Sequence, residues 1–198
     1  RLAAAAKRAG VLLVVSVDLP SLGMFKPPSE YDADIVTAEG QALGVPPTFG
    51  GPYVGIFACK EKYIRQMPGR IVGKTVDTKG RTGYVLTLQT REQHIRRERA
   101  TSNICTSVGL IALMVTVYMA AQGKRGLRHI AELNYHKSHY LASLLTKIPG
   151  YSLASDGVYF REFVVHCPRP PADINETLLK HKILGGMDVS DRYENGML

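Results

Sequence analysis

The chain has 198 residues, room for one ordinary domain or for one domain and part of another. Apolar residues make up 45% and charged residues 21%, a balance that fits a buried core and excludes a disordered chain. Lys and Arg number 25 against 17 acids, and the resulting +8 points to an anionic ligand or an acidic partner while saying nothing about fold.

Residues 2–9 read as the end of a helix, with Gly10 as its C-cap. Residues 11–17 form an apolar, largely β-branched run, the pattern of a strand buried on both faces in a parallel sheet. The run is too short for a signal peptide and lacks a cleavage site. A loop punctuated by Pro20, Gly23, Pro27 and Pro28 follows. Residues 33–38 predict a second strand of parallel type and residues 53–59 a third, with a Gly/Pro-rich segment over 40–52 between them. A short helix is expected at 60–66. Residues 71–89 alternate polar and apolar around Asp77-Thr78-Lys79-Gly80, which predicts a β-hairpin. A polar stretch, 90–106, leads into a mostly apolar helix at 107–121. The apolar stretch 108–121 is broken by Thr116 and falls short of the roughly 20 residues of a membrane span. Gly123 and Gly126 separate that helix from an amphipathic one at 127–147, ended by Pro149-Gly150. Strands are expected at 151–154 and 162–167, a helix at 174–182, and a last strand or loop at 183–189. With no initiator Met and no terminal tail, the chain reads as a piece of a longer protein. The pattern is α/β, with a first domain over 1–122 and a smaller α+β domain over 123–198.

The most unusual segment runs from Thr90 to Thr106. It packs four arginines, one His and two Glu into residues 91–99 and then ends in Thr101, Ser102 and Asn103 ahead of a helix. These side chains and the amides of the next helix suit an anion. The same residues also suit a solvated charged turn in which Ser102 or Asn103 is an N-cap. Gly50, Gly51 and Tyr53 belong to a Gly-rich turn that runs into a strand. It is neither a P-loop, because no GK[ST] follows, nor a dinucleotide fingerprint, because no helix follows. His136 and His139 stand at i, i+3 without a third ligand and are expected on the surface. Cys59, Cys105 and Cys167 form no CxxC or Cys/His spacing, which argues against a disulfide scaffold or a zinc site. Reduced thiols, a cytoplasmic location and no metal are the expectations.

The strings GGPYVGIFACKEKYIRQMPGRIVGKTVD, GYVLTLQTREQHIRRERATSNICT and EFVV resemble the glycine dehydrogenase (decarboxylating) family, the P-protein of the glycine cleavage system. More narrowly, the resemblance is to its subunit 1, which matches the N-terminal half of the fused P-protein. It covers essentially the whole chain and is strongest over residues 49–107. The resemblance implies the C-terminal part of a fold-type-I PLP-dependent transferase large domain, followed by a small, truncated C-terminal α+β domain. It implies decarboxylation of glycine on PLP and transfer of the aminomethyl group to the lipoyl group of H-protein. The family's PLP-bearing subunit carries a His-Lys pair after the strand that matches residues 33–38. Here that lysine position holds Ala42, and no lysine occurs between Lys26 and Lys60. Without an ε-amine the chain cannot hold PLP covalently. The resemblance therefore places PLP on a partner, P-protein subunit 2, and leaves this fragment alone inactive.

By the same resemblance, Thr101 and Ser102, with Asn103, reach the phosphate of the partner's PLP. Arg96, Arg97 and Arg99 supply positive potential there or hold the loop through Glu92 and Glu98. Two other readings stay open on the residues themselves. The +8 charge and the arginines could suit a nucleic acid, although acids are interleaved with them and no nucleic-acid motif is present. A self-sufficient PLP transferase would need a lysine elsewhere.

Overall fold

The computed structural model describes residues 1–100 and 108–192. They belong to two compact units, Arg1–Gly123 and Lys124–Leu198.

The first unit opens with α1 (Leu2–Ala9), which Gly10 closes in the left-handed conformation at φ 66. The Val11 N–H then returns to the Ala6 carbonyl at 3.1 Å, satisfying a helix-end acceptor. β1 (Val14–Val17), β2 (Ile35–Glu39) and β3 (Gly55–Cys59) form a sheet in that order. β2 is its centre and carries the β-branched residues Ile35, Val36 and Thr37. β1 lies parallel to β2, with Val14 opposite Ile35. The connection between them turns through two short 3₁₀ segments, Leu19–Gly23 and Pro28–Tyr31, each with a proline in its first turn.

Two expectations are corrected here. The 11–17 run is a strand only from Val14, and it is not buried on both faces, since Val14 is 56% exposed. Burial of both faces comes from layers packed on the sheet, and β2 is the only strand beside β1 among the described residues. β3, expected as parallel, is antiparallel, with Cys59 opposite Ile35 and Gly55 opposite Glu39. The 40–54 segment carries no crossover helix, so the chain returns beside the strand it left.

An ionic clamp ties the three strands at the amino end of β2. Asp34 Oδ2 accepts the Leu13 N–H at 3.1 Å, and Lys60 Nζ lies 3.0 Å from Asp34 Oδ1 and 2.6 Å from Asp32 Oδ1. The Leu13 N–H, and after it the Lys60 ammonium, hold the Asp34 carboxyl below its ordinary value. Hydrogen bonds to Asp32 and Asp34 raise the Lys60 ammonium.

β4 (Ile71–Val76) and β5 (Thr82–Thr87) form the predicted hairpin, with Val72 opposite Leu86 and Lys74 opposite Tyr84. Asp77 fixes its turn. Oδ1 accepts the N–H groups of Lys79 and Arg81 at 2.8 and 2.9 Å, and Oδ2 accepts Arg81 Nε at 2.7 Å. α2 (Gln93–Arg96) is a single turn. The helical stretch α3 (Gly109–Leu145) is divided by Gly123, which is non-helical at φ 60, ψ −179. Gly126, also expected to separate the helices, lies within helix. Among the described residues of this unit Ala33, Leu43, Val45, Val54, Ile111 and Val115 are buried, as are Pro20 and Pro28.

In the second unit Ala131, Ala142 and Val165 are buried. β6 (Ser152–Leu153) and β7 (Val165–His166) pair antiparallel and are shorter than the sequence predicts. Past β7, Pro168, Pro170 and Pro171 lack the N–H a longer ladder would use. α4 (Pro171–Lys180) starts earlier than expected, because Pro171 is tolerated in the first turn. Residues 183–189 form no strand. His139 is not a surface histidine. Its ring stacks between Tyr135 at 3.9 Å and Tyr159 at 4.1 Å, and its Nδ1 lies 2.9 Å from the Tyr135 carbonyl.

Candidate functional site

Because β3 runs antiparallel to β2, the exit of β2 and the entry of β3 stand side by side. Glu39, the last residue of β2, joins them. Its Oε1 accepts the N–H of Gln41 at 3.0 Å and of Val54 at 2.9 Å, while the Gly40 N–H donates to the Val54 carbonyl at 2.8 Å. Ala42 lies half-buried in the turn held by these bonds, at the carboxyl end of β2. Two residues on, Gly44 takes φ +86 with the Tyr118 ring against it. A Cβ there would stand 2.5 Å from Tyr118 Cδ2. The turn is thus fixed both to the sheet and to α3.

The Gly-rich segment reaches the same end of the sheet. Thr48, Phe49 and Gly50 have φ of 27, 54 and 103, and the Thr48 hydroxyl donates to the Gly51 carbonyl. Two successive non-glycine residues with positive φ are uncommon and mark a constrained loop. The loop leaves Gly50, Phe49 and Tyr53 exposed and ends on the buried Val54. Ala42 and the Gly50, Gly51, Tyr53 segment thus both lie in the connection between β2 and β3.

Arg96, Arg97 and Arg99 are all exposed. Arg96 Nε donates to the Thr90 carbonyl at 3.1 Å. None of the three pairs with Glu92 or Glu98 among the described residues, so the expected stapling of the loop through those acids is not what holds it. Thr101, Ser102, Asn103 and Cys105 lie outside the described residues.

What anchors the segment is Arg91, which the sequence did not single out. Its side chain is 7% exposed, and its two terminal nitrogens donate to the carbonyls of Met67 and Gly69. Glu92 beside it is equally buried, with Oε1 4.0 Å from Arg91 and Oε2 4.0 Å from Arg70. In the string Arg91-Glu92-Gln93-His94-Ile95-Arg96-Arg97-Glu98-Arg99, no pattern separates this inward pair from its exposed neighbours. Elsewhere, Cys59 and Cys167 are free thiols, and burial pushes the Cys167 thiol up, away from nucleophilic use. No group of three His, Cys, Asp or Glu able to hold a metal ion occurs among the described residues. No helix among them is long and apolar enough to cross a membrane.

Residues 1–197 match the family model described as glycine cleavage system P-protein. The chain belongs to that family. It is 54% identical over 182 residues to the probable glycine dehydrogenase (decarboxylating) subunit 1 of Thermomicrobium roseum, covering 92% of this chain and 41% of that protein. It is 55% identical over 184 residues to the protein of the same name from Desulfitobacterium hafniense, covering 93% and 41%. The chain thus spans less than half the length of the relatives it matches. Among solved structures it is similar to an inhibitor-bound glycine decarboxylase (P-protein), with a TM-score of 0.92 and 43% identity over 98% of this chain and 45% of that one. A glutamate decarboxylase from Lactobacillus brevis, at 19% identity and a TM-score of 0.61 over 92% of this chain and 41% of that one, shares the fold. The fold is the α/β fold of PLP-dependent fold-type-I enzymes.

Proposed function

We propose that this P-protein chain is part of the PLP-free subunit of a two-subunit glycine decarboxylase, active only with a lysine-bearing subunit 2. The whole enzyme decarboxylates glycine and passes the aminomethyl group to the lipoyl group of H-protein. Family membership supports the reaction, and the turn after β2 supports the division of labour. That turn carries Ala42, and no lysine lies between Lys26 and Lys60. The residues present do not fit covalent attachment of PLP, so no chemical step is assigned to this chain's own turn.

Its contribution is to the neighbouring site. Thr101, Ser102 and Asn103 serve as hydrogen-bond donors to the phosphate of the partner's PLP. Arg96, Arg97 and Arg99, exposed and free of carboxylate partners among the described residues, add positive potential for that phosphate or for the substrate carboxylate. Gly50, Gly51 and Tyr53 form the wall beside the Ala42 turn. Residues 1–122 are the later part of the large domain, and 123–198 belong to the small α+β domain. The protein works in the cytoplasm, in keeping with its free thiols.

The test is glycine–bicarbonate exchange with H-protein and PLP, using the complete parent subunit alone and with subunit 2. Exchange only in the mixture is expected, and exchange by the subunit alone would overturn the argument from Ala42. Thr101→Ala should weaken PLP retention in the assembled enzyme. Unchanged retention would remove Thr101 from the phosphate site.

A further inference from the structure

The β4–β5 hairpin presents an exposed apolar face. Its register sets Val72 opposite Leu86, Lys74 opposite Tyr84 and Val76 opposite Thr82. Strand alternation sends these six side chains to one side of the ribbon. Val72, Val76, Tyr84 and Leu86 are all exposed there, Tyr84 by 71% and Val76 by 64%. β4 and β5 pair only with each other among the described residues. A two-stranded ribbon in water is marginal until a further layer packs on it, and a cluster of exposed apolar side chains rimmed by polar ones marks a docking surface.

The rim carries one sign of charge. Arg70, Lys74, Lys79 and Arg81 stand against Asp77, the only acid in residues 70–87. Asp77 is taken up by Arg81, 2.7 Å away. A second copy of this chain would bring the same four cations against these, so the occupant is a different chain, apolar at its centre and acidic at its edge. Continuity of the backbone identifies that chain. The buried Arg91 fastens the segment after the hairpin to the hairpin's foot, through the carbonyls of Met67 and Gly69. The same segment runs on through Arg96, Arg97 and Arg99 to Thr101, Ser102 and Asn103. We propose, on the reading that Thr101, Ser102 and Asn103 meet the partner's PLP, that the hairpin face is a docking surface for subunit 2. Val72, Val76, Tyr84 and Leu86 are its apolar centre, and Lys74 and its neighbours meet carboxylates on the partner.

Fluorescence-detected sedimentation of the complete parent subunit, titrated with labelled subunit 2, tests this. Tyr84→Ala and Lys74→Glu should each raise the dissociation constant at least about tenfold, as loss of a central aromatic or reversal of a charge facing acids does. Both positions are exposed, and Lys74→Glu keeps the test decisive if Tyr84→Ala fails to fold. A wild-type subunit that does not associate with subunit 2 would overturn this assignment together with the two-subunit reading. Wild-type association that both variants keep within about threefold would overturn this assignment alone. In that second case, weakened binding of H-protein by the variants would put H-protein on the face. Loss of a self-dimer would put a second copy there, and a lowered urea midpoint of the isolated subunit would put another segment of the same chain there.

Discussion

Replacing Arg91 by Met should loosen the start of the hairpin while leaving the β1–β2–β3 sheet intact. The side chain is 7% exposed and its guanidinium holds two carbonyls, those of Met67 and Gly69, immediately before β4. Each charge-assisted hydrogen bond contributes about 1.5–3 kcal/mol, and methionine keeps the apolar stem while supplying no donor. Allowing for the side-chain freedom regained, a loss of about 3 kcal/mol is expected. Native-state hydrogen exchange reads this locally, where a single global unfolding curve for a chain of two units would not. The amides of the β4–β5 ladder should exchange about 150-fold faster, since about 1.4 kcal/mol is a factor of ten. The Val14–Val17 ladder should be unaffected. Arg91→Lys keeps one donor group able to reach one carbonyl, and should recover about half of the lost free energy. Hairpin amides in Arg91→Met that exchange within about threefold of wild type would refute the reasoning, since even one lost bond exceeds that.

Gly44→Ala meets two penalties, a φ of +86 that L-residues avoid at about 1–2 kcal/mol and a contact of 2.5 Å with Tyr118 Cδ2. In urea titrations a Tyr118→Ala background should remove the two ring contacts, at 2.5 and 2.6 Å, and leave the contact with the residue-118 Cβ at 2.9 Å and the conformational penalty, and strict additivity of the two substitutions would contradict the packing described. For the clamp at β2, the Asp34 carboxyl is held below 3.8, so its contribution is present above that value and is lost as pH falls through the depressed one. Lys60 acts in the opposite sense: held above 10.5, it contributes below that value and is lost as pH rises through the raised one. The Leu13 amide shift, followed by NMR, should titrate with a midpoint below 3.8 in wild type and lose that step in Asp34→Asn. A midpoint at or above 3.8 would mean that Leu13 and Lys60 do not stabilise the charged form.

Local chemistry decided much of this molecule. The helix end at Gly10, the hairpin around Asp77, and the break at Gly123 follow from residues acting on their own neighbours, through left-handed backbone or a short hydrogen-bonding side chain. The long motif strings carried the family, and the absence of lysine between Lys26 and Lys60 is a fact of the sequence alone. What depends on strand partners was decided only in three dimensions. β1 has the composition of a central strand, but its burial is set by what packs on its faces, and β3 is antiparallel because of the loop's path. The same holds for the charged string. Arg91 and Arg96 are chemically identical in sequence, and only the fold turns one toward the carbonyls of Met67 and Gly69 and leaves the other in water. His139 owes its stacked position to Tyr159, which is distant in sequence and lies across the second unit's fold. Periodicity sees residues three or four apart, whereas burial and pairing are set by contacts whose partners lie well beyond that span.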